Sequence, residues 1–265
     1  MRRNRFFGKY YKYISSDGYT IAVILSSANE GDMAQVITRD GAYFIDNPHD
    51  IYVDDNKMVF NVHQKDVQIE GILEMGELHP LRKKVMGLFS YLSLECKHEI
   101  YSMFHKVNGT LLINKKEIIF SNSRGYIEGD EGVNFPTKYI WYNSVLEEAT
   151  VTMAIATIPL LWGLIKFKGL LCFIKNKDEE YYLCTYNGGK VISHSEKEII
   201  IRKGKYQLIL SISSLAGYDL RAPVKGNMSR YIKENINIHT RYVFKHKDQI
   251  LLENDDPLSS LEYMF

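Results

Sequence analysis

Tyr126, Glu128 and Asp130 stand two residues apart in the run Arg124-Gly125-Tyr126-Ile127-Glu128-Gly129-Asp130-Glu131-Gly132-Val133-Asn134-Phe135-Pro136, which is followed by Tyr139 and Trp141. On an extended strand this spacing turns a phenol and two carboxylates to one face. Such groups are costly to bury unless they are hydrogen-bonded or used in chemistry. The chemistry they suit is proton transfer. The structural alternative is a polar strand end whose carboxylates accept from backbone amides in tight turns at Gly129 and Gly132.

Two further clusters are candidates. In Glu95-Cys96-Lys97-His98-Glu99 an extended chain turns Cys96 and His98 to one face and the three charged residues to the other. Arg230 and Glu234 are four apart, the spacing of a pair on one helix face, worth only a few tenths of a kcal/mol if exposed. His98-Glu99 starts like a zinc-protease motif, but the next histidine is His105, which breaks the helical ligand spacing. The chain has no G-x-S-x-G, P-loop or G-x-G-x-x-G motif, so it lacks the usual marks of hydrolases and nucleotide binders.

The elements that must position these residues are strands. Apolar residues make up 45% of the 265, with 19 Tyr and 12 Phe, a composition suited to a sizeable core and to β-structure. Strand patterns fall at 19–27, 33–39, 42–46, 51–53, 57–62 and 67–74, then in a hairpin of 109–114 with 117–122. Further hairpins pair 180–186 with 190–194, 199–202 with 206–213, and 241–245 with 249–253. Helical patterns are few and short, at 81–92 and 228–236. The expectation is an all-β chain of antiparallel barrels or sandwiches, divided near Gly132–Thr137 into residues 1–136 and 137–265.

Formal net charge is +1, which gives no global field for nucleic acid. Cys96, Cys172 and Cys184 form no C-x-x-C pair and read as thiols of a reducing, cytoplasmic setting. The basic start, Met1 to Arg5, leads into Lys9 and Lys12 rather than an apolar h-region. The apolar stretch 151–165 is too short to span a bilayer and reads as a buried hairpin, with shallow membrane contact through Leu160, Leu161 and Trp162 as the other reading.

At these residues the chain resembles the tocopherol cyclase family, its shorter microbial members in particular. The resemblance is carried by Glu95-Cys96-Lys97-His98, Ser102-Met103 with His105, Gly125-Tyr126-Ile127-Glu128-Gly129-Asp130 with Gly132, Phe135-Pro136 and Trp141. Leu183 with Thr185-Tyr186, and Arg221-Ala222-Pro223 with Gly226, Met228, Arg230 and Glu234, extend it over nearly the whole chain. The chain departs from the family at Glu131, a Trp or Arg position there, and at Gly87-Leu88-Phe89, where a proline is expected after the glycine.

The resemblance implies two packed lipocalin-like antiparallel β-barrels with few short helices. It also implies acid-catalysed closure of a prenylated quinol to a chromanol, with no cofactor and no metal. Burial and a neighbouring carboxylate both favour a neutral carboxyl, so Asp130 is expected as proton donor and Glu128 as its coupled partner, in either order. Tyr126 would bond one of them, and His98 would orient or deprotonate the phenol. Trp141 and Tyr139 would face the cation, worth about 1–2 kcal/mol when desolvated. Phe135, Arg230 and Glu234 complete the expected substrate-binding set. The competing function is a non-catalytic lipocalin-like carrier of a hydrophobic small molecule, which needs an apolar barrel interior and no proton donor.

Overall fold

The computed structural model describes residues 4–160 and 165–265, and among them the regular structure is almost all strand. Nine strands build a first sheet: β1 Phe6–Ile14, β2 Thr20–Ala28, β3 Gly31–Thr38, β4 Gly41–Ile45, β5 Ile51–Asp54, β6 Lys57–His63, β7 Gln68–Met75, β8 Cys96–Ile113 and β9 Lys116–Gly132. Their order is β4-β3-β2-β1-β9-β8-β7-β6-β5, with antiparallel neighbours throughout. One apolar cluster draws side chains from all nine, among them Tyr13, Val23, Val36, Ile45, Ile51, Phe60, Leu73, Leu111 and Phe120. A flat sheet could not bring both its edges to one cluster, so this sheet curls around its own core. It remains open, since β4 and β5 are edges in the hydrogen-bonded order.

The second sheet repeats the plan. Its strands are β10 Tyr139–Val145, β11 Ala149–Leu160, β12 Ile165–Asn176, β13 Glu179–Tyr182, β14 Lys190–His194, β15 Glu198–Lys203, β16 Tyr206–Ile212, β17 Tyr218–Val224, β18 Asn227–His246 and β19 Gln249–Met264. The order is β13-β12-β11-β10-β19-β18-β16-β15-β14, with β17 paired to β18. Ile140, Tyr142, Met153, Cys172, Ile201, Leu210, Phe244 and Leu261 belong to its core. The apolar stretch forms the expected hairpin, β11 pairing with β12 from Ala149↔Asn176 to Leu160↔Ile165. Leu161 and Trp162 lie outside the described residues, as does the side chain of Leu160, and with them the expected membrane contact. No helix of the described residues is long and apolar enough to cross a membrane.

The chain divides into two compact units. The first contains Met1–Leu81, Cys96–Phe135 and Leu220–Tyr231; the second contains Arg82–Glu95, Pro136–Asp219 and Ile232–Phe265. Neither unit is one continuous stretch of chain: residues 82–95 group with the second unit and 220–231 with the first.

Both expected helices are corrected. Residues 81–92 hold only a one-turn 3-10 helix, Gly87–Tyr91. Residues 228–236 are part of β18, where Met228, Ile232 and Ile236 are buried and Ser229, Tyr231 and Lys233 are exposed. A four-residue apolar spacing fits a period of two as well as one of 3.6, and here the sheet partner decides. On a strand Arg230 and Glu234 have Cα atoms about 13 Å apart, not the close approach of one helix face.

Candidate active site

The acidic motif lies inside β9, not at a turn, and a β-bulge sets its direction. Before the bulge, Ile118 and Phe120 point into the first core; beyond it, Ile127 does. Even-numbered residues therefore face the core on one side of the bulge, and odd-numbered ones on the other. The shift lies between the pairings Gly109↔Phe120 and Val107↔Ser123, where β9 holds one residue more than β8. Asn122 takes a left-handed φ of 46° there, and its N–H donates to Asn108 Oδ1 at 2.8 Å. The extra residue reverses every later side chain. Tyr126, Glu128 and Asp130 thus share one face as expected, but it is the face opposite the apolar core. The core itself is filled by side chains such as Tyr11, Tyr13, Phe60 and Phe120. The acids therefore project away from the first sheet's apolar interior.

The flanking strands complete the cluster. Cross-strand pairing sets Gly8, Tyr10 and Lys12 of β1 opposite Asp130, Glu128 and Tyr126. On the other side His98 of β8 is opposite Asp130, and Ile100 opposite Glu128. The Tyr126 hydroxyl donates to Glu128 Oε2 at 2.5 Å. Glu128 Oε2 lies 3.5 Å from His98 Nε2, and Asp130 Oδ1 lies 3.1 Å from His98 Nδ1. Cys96 Sγ donates to the same Asp130 oxygen at 3.5 Å. Tyr126, Glu128 and Lys12 are buried; Asp130 is more open than His98 or Glu128, its side chain 23% exposed. Glu131 turns away and meets Arg5 at 3.9 Å, both half exposed.

Each nitrogen of His98 therefore faces a different carboxylate. Burial alone would lower its pKa, but the charges of Glu128 and Asp130 and the hydrogen bond to Asp130 outweigh it, raising the value from 6.5 to about 9. Burial, then the charge of Asp130, pushes the Cys96 thiol well up, so it stays an S–H donor. The cluster is an imidazolium held between two carboxylates, with a phenol at one end and a thiol at the other.

His98, Glu128 and Asp130 also place one potential ligand atom each within 4.8 Å of one another, the composition of a metal site. An ion on either imidazole nitrogen would have to draw one carboxylate away from the other nitrogen. The geometry is better matched by a proton than by an ion.

The close-packed side of the motif is structural. A Cβ on Gly125 would come within 2.2 Å of His105 Nε2, so only glycine lets that ring lie against β9. His105 is buried, edge-on to Tyr13 at 6.2 Å, with Nδ1 3.1 Å from Ser102 Oγ. Burial, then the charge of His79, lowers its pKa to about 4, so it is a neutral core histidine.

The other expected residues group differently. In the second unit Tyr139 and Trp141 lie on the face of β10 opposite its core. Tyr139 donates to Glu262, which is cross-strand from both Trp141 and Glu234. All four are buried. In the first unit Phe135 packs edge-on to Phe6 at 5.4 Å, and its N–H donates to Pro223 O at 3.2 Å, while Arg230 lies on β18. Tyr10, Lys12 and Glu262 were not among the expected residues. Lys12 carries a readable signal: it alternates with Tyr11 and Tyr13, so whichever face those aromatics choose, the lysine takes the other. Nothing in the sequence ties Glu262 to Tyr139 across 123 positions.

No family model and no curated protein matches the sequence. Solved structures do share its fold. A structure of CghA with Sch210972 superposes with a TM-score of 0.64 at 6% identity, covering 98% of this chain and 88% of that one. A putative AttH from Nitrosomonas europaea gives 0.57 at 8% identity, covering 99% and 93%. Kievitone hydratase from Nectria haematococca gives 0.54 at 11%, covering 98% and 89%. The chain thus has a two-unit, lipocalin-like β architecture, as the tocopherol cyclase resemblance implied. At these identities the likeness is one of fold.

Proposed function

We propose that the first unit carries an acid–base centre that gives a proton to an unsaturated hydrophobic substrate and takes one back. The finer reading is intramolecular ring closure of a prenylated quinol. What supports it is the connected set Tyr126, Glu128, His98 and Asp130, in which both nitrogens of a buried imidazole meet a carboxylate.

Held between two negative charges, the His98 imidazolium is too weak an acid to protonate an alkene itself. It serves as a proton store. Asp130, more open than His98 or Glu128, is the one that exchanges with substrate, and Glu128 with Tyr126 holds the charge behind it. The proton stored on His98 moves across the 3.1 Å Nδ1–Oδ1 contact to Asp130, the resulting carboxyl gives it to an alkene carbon, and the phenol oxygen bonds to the cation. The phenol's proton then returns to the cluster, so atoms and protons balance without an oxidant. With water as nucleophile the same first step gives hydration, the reaction named for one of the structural neighbours. A carrier would need room inside a sheet, and the first sheet's interior is occupied by its own aromatics.

The test is incubation with a prenylated hydroquinone followed by chromatography and mass spectrometry. Ring closure leaves the mass unchanged, and hydration adds one water. Asp130→Asn should lower turnover by about 10²–10⁴-fold, and in the same variant the His98 pKa, followed by NMR, should fall from about 9. Undiminished turnover in Asp130→Asn would remove Asp130 from the acid role.

A further inference from the structure

The second unit contains a pocket that the acid–base chemistry does not use. Its volume is about 690 Å³, within the roughly 300–1,000 Å³ of small-molecule sites. One wall is the segment Lys83–Tyr91; the other comes from β13, the turn after it, and the β15–β16 hairpin.

The segment is fastened in place before any ligand arrives. The Arg82 N–H donates to Glu180 Oε2 at 3.1 Å, and its guanidinium to Asp178 O at 2.9 Å. The Lys83 N–H donates to the Tyr182 hydroxyl at 3.1 Å, and the Tyr186 hydroxyl to Val85 O at 3.2 Å. Gly87, at φ 47°, lets the Tyr186 ring lie against the backbone, where a Cβ would come within 2.6 Å of that ring. A pocket built this way loses little entropy on binding.

Its chemistry is aromatic and cationic. Tyr181, Tyr182, Tyr186 and Tyr206 offer ring faces and edges, and Lys83, Lys84 and Lys203 bring three ammonium groups. Lys83 Nζ already sits 5.5 Å from the centre of the Tyr182 ring, and Lys203 Nζ donates to Tyr182 O at 2.8 Å. The one carboxylate in the lining, Glu180, accepts from the Arg82 N–H and the Tyr182 hydroxyl, so it is already engaged. At the rim Leu88 and Tyr91 are 65% and 87% exposed, apolar surface without a core role.

We propose that this pocket binds a planar aromatic anion, an aryl carboxylate, sulfonate or phosphate. The ring lies among the tyrosines and the anionic group meets Lys83 and Lys84. Rings supply area at small entropic cost, and ammonium groups beside aromatic walls favour an anion over its neutral analogue.

Calorimetric titration of the intact protein with naphthalene-2-sulfonate, and with uncharged 2-naphthol, tests the assignment. Saturable binding of the sulfonate is expected, weakened at least about tenfold in the variant Lys83→Met/Lys84→Met and weaker still for 2-naphthol. Both lysines are exposed, so the variant should fold, and Lys203→Met provides a second reduction of charge. Shifts of the Tyr182 and Tyr186 ring resonances should accompany binding. No saturable binding, equal binding of 2-naphthol, or indifference to both sets of lysine substitutions would each overturn the proposal.

Discussion

Two histidines seven positions apart on one strand are tuned in opposite directions, and the pH dependence of stability should show both. His98 is raised to about 9, so the folded state holds a proton that the unfolded chain releases near 6.5. The stability it contributes is complete below about pH 6.5 and is lost as pH rises through about 9. The scale is on the order of 3 kcal/mol for a shift of this size in a buried group. His105 is lowered to about 4, so its effect has the reverse sign: stability present above about 6.5 falls away as pH drops toward 4. Urea unfolding across this range should show a maximum near neutrality for these two groups. His98→Gln should flatten the alkaline side and leave the acid side. An unchanged alkaline slope in that variant would mean that no proton is stored on His98.

At the scale of elements the decisive feature is the bulge in β9, which turns the acids from the core to the other face. Asn122 holds it with a left-handed φ, a conformation open to Asn and Gly and strained for β-branched residues. Asn122→Gly should be close to neutral in denaturant midpoint. Asn122→Val should cost about 1–2 kcal/mol and disturb the His98 resonance, because a shift in register carries Asp130 with it. The same bulge marks the limit of what could be read in advance. Strand type, most of the hairpin turns and the shared face of Tyr126, Glu128 and Asp130 were legible, since period two is written in the residues; the expected hairpin of 180–186 with 190–194 was not, because β13 pairs with β12 and β14 with β15 at the opposite end of the sheet order. Which face that would be was not, because Asn122-Ser123-Arg124-Gly125 resembles a turn that ends a strand, and the sequence does not say that a partner absorbs it. The grouping of Tyr139, Trp141 and Glu234 around Glu262 was hidden for the same reason, since it depends on the pairing of β10, β18 and β19.

At the scale of the whole molecule the units are not consecutive stretches of chain. Leu220–Tyr231 belongs with the first, where Gln35 is fully buried with its amide spanning Arg221: its Nε2 donates to Arg221 O at 3.1 Å, and the Arg221 N–H donates to its Oε1 at 2.8 Å. Asn29 makes similar bonds to Lys225, Gly226 and Asn227. Cutting at residue 136 strands these groups, at about 1–3 kcal/mol for each buried polar atom left without a partner. A fragment of residues 1–136 should therefore give a poorly dispersed NMR spectrum, improved by adding a peptide of residues 218–231. A well-dispersed spectrum of the fragment alone would contradict this. The supernumerary residue in β9 bears on inheritance as well. Loss of a single codon there would drive the acids inward and the oily side chains outward in one step, so descendants of this gene can vary the strand by exchange of letters but hardly by changing its count.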